Sequence, residues 1–232
     1  MVPPALSVVI PALDEEPVIV ASVSSVREDA QVIVVDGGSS DGTREAAAAA
    51  GATVIVSAPG RGVQLHAGAR AARGEWIVFL HADTRLGRGW AAALRSLPAE
   101  VVGGAFSLTL DPPRPAYRLI EAGVALRCRW FRLPYGDQGI FARREVYESI
   151  GGFRPLPLME DVDFVRRLAR TGTLAFPAVP AFSSARRWER HGLLATSFRN
   201  VWLLALYAAG RGPDRLARAY AGEGGWRWTS RS

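Results

Sequence analysis

Apolar and polar positions along this chain fall in blocks rather than residue by residue. Ser7-Val8-Val9-Ile10-Pro11 is a short apolar run, Gln31-Val32-Ile33-Val34-Val35-Asp36 a second and Thr53-Val54-Ile55-Val56 a third. Glu75-Trp76-Ile77-Val78-Phe79-Leu80 is the fourth. Runs of this length, with β-branched residues and little alternation, predict strands buried on both faces of a parallel sheet. Between them lie segments of helical length. Asp14-Glu15-Glu16-Pro17 opens one that extends to about Val26, with acidic residues in the first turn, where the helix dipole favours them. An alanine-rich stretch ending near Gly51 and the segment carrying His66 and Arg70 supply two more. Strands and helices alternating at this interval predict right-handed βαβ units. The expected class is α/β, with a mostly parallel central sheet flanked by helices.

After Asp83 the rhythm loosens. The pattern predicts a strand over 101–110, a helix over 117–131 with arginines on one side, and a loop over 133–139. A short helix over 144–150 is stopped by Gly151-Gly152, and a stronger one covers 162–171. Two short strands are expected near 174–176 and 182–184. The most apolar helical segment is 193–209; it reads either as a helix covering the core or as an interfacial one, helped by Trp226-Arg227-Trp228. It is too short to span a bilayer. With no repeat, low-complexity tract or linker, one domain over 1–232 is expected.

Charge and composition narrow the chemistry. All 28 Lys+Arg residues are arginine, which excludes a Schiff-base lysine and a P-loop lysine. The formal charge of +6 suits anionic partners, but the arginines are dispersed and no recognition motif appears, so no nucleic acid partner is expected. Cys128 is the single cysteine, so an internal disulfide is impossible. Met1-Val2-Pro3-Pro4 runs straight into a strand without a signal-peptide pattern. The expectation is a cytoplasmic protein, with peripheral contact at the inner membrane face as an option.

The candidate chemistry lies where the strands stop. Glu15 or Glu16 follows the first strand, Asp36 ends the second and Asp83 follows the fourth. Parallel strands share one carboxyl edge, where open α/β sheets place their ligands, so these groups are expected over one crevice. His66, His81 and His191 are the only histidines. A carboxylate and an imidazole, together with phosphate oxygens, suit a divalent ion, and Asp83 with His191 is the favoured ligand pair. Glu160-Asp161 stands at a helix start after Pro155-Leu156-Pro157-Leu158-Met159, a stiff approach that would hold a carboxylate over a pocket. That position suits a general base, or equally a helix cap. No Gly-x-Gly-x-x-Gly follows the first strand, and neither a Walker loop nor a Gly-x-Ser-x-Gly elbow is present.

Taken in order, residues 7–16, the stretch Val35-Asp36-Gly37-Gly38-Ser39-Ser40-Asp41-Gly42-Thr43, the segment His81-Ala82-Asp83 and Met159-Glu160-Asp161 resemble the family 2 glycosyltransferases of the GT-A fold. More narrowly, Phe79-Leu80-His81-Ala82-Asp83-Thr84 and Tyr135-Gly136-Asp137-Gln138-Gly139-Ile140-Phe141 look like a bacterial subgroup labelled selenodomain-associated or arsenosugar-biosynthesis transferases. The resemblance implies a nucleotide-sugar half over 1–110, an acceptor and catalytic half over 111–192, and a C-terminal helical segment over 193–232. It implies that Pro11, Ala12, Leu13 and Glu15 line the nucleotide pocket, with Asp36 and Gly37 at the base. Arg61 would lie near ribose or phosphate, and His66, His81 and Ala82 belong to the same nucleotide side. Asp83 would bind Mg²⁺ or Mn²⁺, and Asp161, beside Glu160, would be the base of an inverting transfer. Gly136, Asp137 and Gln138 would border donor sugar or acceptor, and Arg187, Trp188 and His191 would close over the diphosphate. The implied partners are a nucleotide-diphosphate sugar, most often a uridine one, and a small-molecule or lipid acceptor. Two positions depart from the family: His81 stands in place of the first aspartate of Asp-x-Asp, and His66 in place of an asparagine.

Two other readings compete. A sugar-nucleotidyltransferase would need a glycine-rich loop after the first strand, where Ala12-Leu13-Asp14-Glu15-Glu16 stands instead. A non-catalytic nucleotide-sugar or membrane-surface binding protein would not need both Asp83 and Asp161.

Overall fold

The computed structural model describes residues 6–222, apart from the side chains of Arg187, Arg190, His191, Leu194 and 220–222. The four apolar runs form β1 (Leu6–Ala12), β2 (Gln31–Asp36), β3 (Thr53–Val56) and β4 (Trp76–Phe79). They pair in parallel in the order β3-β2-β1-β4. Helices α1 (Glu16–Ser24), α2 (Thr43–Ala49) and α3 (Arg61–Ala71) connect them. Ala12 lies opposite Asp36, and Val9 opposite Phe79, so β1, β2 and β4 all finish at one edge.

Each face of the sheet is covered. Ile19 and Val23 of α1 join Trp90 and Leu94 of α4 (Trp90–Arg95) on one side. Leu65 and Ala69 of α3 pack on the other with Tyr147 of α6 (Arg144–Ser149) and Val162, Val165 and Leu168 of α7 (Glu160–Leu168). The approach of α3 depends on Gly68, where a Cβ would lie 2.3 Å from Val9 Cγ1 and 2.8 Å from Val35 Cγ2. Such overlap inside a close-packed interior has no cheap relief.

Beyond β4 the sheet changes character. Strand β8 (Ile140–Arg143) inserts antiparallel between β4 and β6 (Val101–Ala105), and β9 (Thr173–Ala175) completes the seven-stranded order β3-β2-β1-β4-β8-β6-β9. A second sheet has the order β5 (Thr84–Leu86), β10 (Pro180–Ser184), β7 (Ser107–Asp111). The single strand expected over 101–110 is therefore two strands in two sheets. They part at Phe106, whose N–H donates to the Gln138 carbonyl at 3.0 Å. The helix expected to begin at Val162 begins at Glu160, which brings both carboxylates into its first turn. Its N-cap, Met159, has a φ of 65°, a left-handed conformation that a non-glycine residue adopts only where its surroundings impose it.

The loop before α7 is fixed by ions. Arg167 contacts Asp163 at 2.8 Å and donates to the carbonyls of Ile150 and Gly152 at 2.8 and 2.6 Å. Arg154 reaches the same Asp163 at 3.2 Å. A shared, mostly buried carboxylate thus ties the approach segment to the helix it feeds. The chain continues through α5 (Tyr117–Phe131), set between β7 and β8 in sequence, and closes with α8 (Arg186–His191), α9 (Leu193–Ala208) and α10 (Pro213–Gly222). Among the described residues no helix is long and apolar enough to cross a membrane. The Trp226-Arg227-Trp228 stretch lies outside the described residues.

Candidate active site

The segment His81-Ala82-Asp83 leaves β4 at the shared edge and is pinned along its length. Leu80 N–H donates to Val9 O at 3.0 Å, Thr84 N–H to His81 O at 3.1 Å and Ser184 N–H to Asp83 O at 3.2 Å. Ala82 is buried, and its carbonyl accepts from Ser22 Oγ at 2.5 Å. The two flanking side chains serve two different clusters.

In the first cluster, Arg186 Nη2 lies 3.1 Å from Asp83 Oδ2 and 3.2 Å from Glu15 Oε2. One guanidinium from late in the chain therefore bridges two carboxylates from its first half. Glu15 is buried and its N–H donates to Thr43 Oγ1 at 2.8 Å. Burial pushes the Glu15 carboxyl above its ordinary range, the Arg186 contact opposes that shift, and the Asp83 charge adds to it. Partial burial works against the charged form of Arg186, but its hydrogen bonds to Asp83 and Glu15 outweigh this and hold the guanidinium more firmly protonated.

In the second cluster, Asp161 Oδ2 accepts from Gly136 N–H at 2.8 Å, and Oδ1 accepts from Val162 N–H at 2.8 Å. His81 meets the same turn from the other side. A Cβ on Gly136 would lie 2.5 Å from His81 Nε2 and 3.5 Å from Asp161 Oδ2. Glycine at 136 is thus what lets imidazole, backbone and carboxylate converge. His81 stands beside the carboxylate predicted as base, away from the Glu15 and Asp83 pair.

Glu160 lies behind Asp161, almost fully buried, with Oε1 3.0 Å from Arg61 Nη1. Arg61 opens α3, so this pair joins the first turns of α3 and α7. Burial raises the Glu160 carboxyl above its ordinary range; the Arg61 charge lowers it, and the Asp161 charge raises it further. A carboxyl with a raised folded pKa contributes stability below its unfolded pKa and loses it as pH rises through the folded value. Glu160→Gln keeps the shape and removes this titration. Melting temperatures across pH should therefore show the wild type losing ground to Glu160→Gln as pH rises above the ordinary glutamate range. Parallel curves for the two proteins would contradict it.

The remaining candidates divide. Pro11 and Ala12 are buried at the end of β1 and Leu13 is half-buried just beyond. The Asp36 carboxylate, fully buried, accepts from Gly38 N–H at 3.0 Å, from Ser39 N–H and from Ser39 Oγ, and so shapes its own turn. His66 Nδ1 lies 3.2 Å from the Tyr147 hydroxyl, inside an aromatic cluster with Phe79, Phe153 and Phe164. Gln138 is buried: its Oε1 accepts from Tyr135 N–H and Arg127 Nη2, each at 3.1 Å, and its Nε2 donates to Phe106 O at 3.2 Å. Asp137 sits half-buried in the same turn. Trp188 is buried with Leu108, Leu110, Tyr117 and Ala185, in a hydrophobic cluster rather than against the carboxylates. The side chains of Arg187 and His191 lie outside the described residues.

Two residues were not anticipated. Arg186 reaches the carboxylates, yet in sequence nothing distinguishes it from its neighbour Arg187. Gln64, on the inner face of α3, donates to Ala12 O at 2.9 Å and Val35 O at 2.8 Å, clamping the ends of β1 and β2. Its only sequence signal is a polar residue at an inward-facing helical position. Its Oε1 is buried without a hydrogen-bond partner beside Gly37.

Among the described residues no three metal-ligating side chains converge. Mg²⁺ and Mn²⁺ sites in phosphate chemistry commonly use one or two carboxylates and complete the shell with phosphate oxygens and water. Asp83, with Glu15 close by and Arg186 between them, is a donor set of that kind.

Comparison with known proteins fits this geometry. The sequence profile described as Glycosyl transferase family 2 matches residues 7–154. Uncharacterized glycosyltransferases of Mycobacterium tuberculosis and Mycobacterium bovis are 36% identical over 160 residues, covering 63% of this chain and 71% of each relative. Among solved structures, a mycobacterial protein is 26% identical with a TM-score of 0.52, covering 77% of this chain. The chain spans 64% of that protein's length, less than two thirds of it. Glucosyl-3-phosphoglycerate synthase from Mycobacterium tuberculosis, in complex with Mn²⁺, uridine diphosphate and glucosyl-3-phosphoglycerate, superposes with a TM-score of 0.61 at 22% identity. That match covers 88% of this chain and 80% of the synthase, a likeness of fold.

Proposed function

The chain belongs to glycosyl transferase family 2, and on that premise we propose that it moves a sugar from a nucleotide-diphosphate donor to an acceptor hydroxyl with inversion at the anomeric carbon. Asp161 is the base. A carboxylate offers about four lone-pair sites, and the two backbone donors leave room for an acceptor hydroxyl. As the acceptor oxygen bonds to the anomeric carbon, the bond from that carbon to the diphosphate breaks. The hydroxyl proton passes to Asp161, and the electron pair leaves with the nucleotide diphosphate. When bound, Mg²⁺ or Mn²⁺ supplies Lewis-acid stabilisation of the departing charge, worth several kcal/mol in order of magnitude. Asp83 would hold that ion, with Glu15 behind it, and Arg186 offers a fixed positive charge at the same place.

One observation carries this reading. His81-Ala82-Asp83 has one end against the turn that holds Asp161 and the other in the Arg186 and Glu15 cluster. One three-residue segment thus reaches both a place for proton removal and a place for leaving-group charge, and a single-displacement transfer needs both.

The uridine diphosphate and Mn²⁺ of the structurally similar synthase support a uridine diphosphate sugar as donor, and its bound glucosyl-3-phosphoglycerate supports a small acceptor. The motifs Phe79-Leu80-His81-Ala82-Asp83-Thr84 and Tyr135-Gly136-Asp137-Gln138-Gly139 support placement in the selenodomain-associated or arsenosugar-biosynthesis subgroup. A thermal-shift screen of uridine and guanosine diphosphate sugars with and without Mn²⁺ tests donor and metal together. A ligand at about 100 times its Kd stabilises by about 2.7 kcal/mol, so a true donor should raise the melting temperature clearly when Mn²⁺ is present. A flat response to every nucleotide sugar, together with no sugar release on prolonged incubation, would remove the proposal.

A further inference from the structure

Among the described residues, none covers the outer face of α5. Its inner residues Tyr117, Ile120 and Val124 pack on the cluster that holds Leu108, Leu110 and Trp188, and the first residue of α9, Leu193, packs on the same cluster. On the opposite face Leu119 is 81% exposed and Trp130 67% exposed, with Leu126 also exposed. At 3.6 residues per turn these three share one stripe down the helix. Ala122 and Gly123 lie between them, so nothing polar interrupts the stripe. Phe131, the last residue of α5, is exposed as well, off the line of the stripe. Helix α9 repeats the arrangement, with Phe198 73% exposed beside exposed Val201 and Trp202.

Charge decides what can cover these faces. Arg118 and Arg129 border the α5 stripe on one side, and both are exposed. The one acidic residue of α5, Glu121, turns inward, where Oε1 accepts from Leu110 N–H at 2.9 Å. Helix α9 contains no acidic residue and carries Arg199. Apolar and aromatic stripes edged by arginine, with no outward carboxylate, match the boundary between anionic headgroups and acyl chains, where arginine stems lie along the apolar layer and their charges meet phosphate. A two-fold interface through the same stripe would instead bring Arg118 and Arg129 of one copy near those of its partner, and like charges in a closing interface are unfavourable.

We propose that the exposed face of α5, with that of α9 as a second contact, seats this protein on an anionic lipid surface. The seat connects to the candidate active site. Arg127 Nη2 lies 3.1 Å from Gln138 Oε1 and its guanidinium stacks 3.5 Å from the centre of the Tyr135 ring, while Cys128 Sγ is 3.4 Å from the same amide oxygen. The last turn of α5 is therefore tied to the turn that holds Asp161. Seating the helix brings the acceptor side of the site to the membrane. Lipid binding needs neither donor nor acceptor, so its outcome is independent of the transferase reading.

Co-sedimentation of the full chain with vesicles tests this directly. Vesicles mixing phosphatidylglycerol with phosphatidylcholine should retain the protein, vesicles of phosphatidylcholine alone far less, and added salt should weaken retention. Leu126→Glu combined with Trp130→Glu should lower binding to the mixed vesicles about ten-fold or more, with the melting temperature held near that of the wild type. Arg118→Gln with Arg129→Gln removes both bordering charges, at the expense of a 3.5 Å contact between Arg118 and Glu121, and should lower the same binding without touching the apolar stripe. Wild-type protein that ignores anionic vesicles, or variants that bind them equally well, would overturn the proposal. So would a dimer in light scattering that the Leu126 and Trp130 changes dissolve, since the face would then belong to a second copy.

Discussion

Asp161→Asn is expected to lower glycosyl transfer by about 10²–10⁴-fold, the usual contribution of a positioned general base, while leaving donor affinity little changed. The reasoning rests on how the carboxylate is held. Its two oxygens accept from Gly136 and Val162 N–H groups, both backbone donors, so the group cannot swing away from the turn it faces. An asparagine matches the shape but offers one oxygen and one NH₂ group, so only one of the two backbone donors keeps an acceptor. The basic lone pair that would take the acceptor proton is gone as well. Two measurements separate these effects. Calorimetric donor affinity reports whether the turn has collapsed, and turnover under saturating donor reports the loss of the base. Near-normal turnover in Asp161→Asn would remove Asp161 from the mechanism. Turnover and donor affinity failing together would point to the turn instead.

Asp83→Asn should weaken binding of uridine diphosphate in the presence of Mn²⁺ on the order of 100-fold, since in the proposed site that carboxylate would hold the ion that draws the diphosphate. Without Mn²⁺ the variant and the wild type should bind the nucleotide alike. The asymmetry matters because Asp83 has a second partner. In Asp83→Asn the Arg186 guanidinium still faces Glu15, whose oxygen lies 3.2 Å away, so the cluster keeps a paired ion and the local fold should survive. Titration calorimetry of the nucleotide with and without Mn²⁺ reads this contrast. A Mn²⁺-dependent gain in affinity that persists in the variant would move the metal elsewhere.

The parts of the molecule that sequence disclosed are those whose cause is local. β1, β2 and β4 carry runs that only a doubly covered strand explains, and α5 shows its arginine-sided pattern over the whole of its length. β8 did not announce itself, because Ile140-Phe141-Ala142-Arg143 is too short to carry a period and becomes a strand only by pairing with β4 and β6. β5, three residues long, likewise exists through its partner β10. The candidate site follows the same division. Carboxylates after strand ends could be found by inspection, as could Asp161 at a helix start. What each one touches could not, since the partners are remote: His66 meets Tyr147 from 81 positions away, and Arg61 meets Glu160 from 99. That Arg186 reaches Glu15 and Asp83 is set by how β10 docks, which no property of the local sequence records.

That docking also fixes when the site can exist. Glu15 and the arginine that neutralises it are 171 positions apart, at opposite ends of a chain that is made from its N-terminus onward. The parallel strands β1 to β4 can pair early, but until β10 zips between β5 and β7 Glu15 and Asp83 face one another at the shared edge without Arg186 between them. During synthesis that edge is a place of mutual repulsion, and the stitch that relieves it is among the last to be drawn. If that edge binds the donor as proposed, binding would report on complete folding: a chain interrupted before Arg186 would carry the first four strands without the charge that pairs with Glu15 and Asp83.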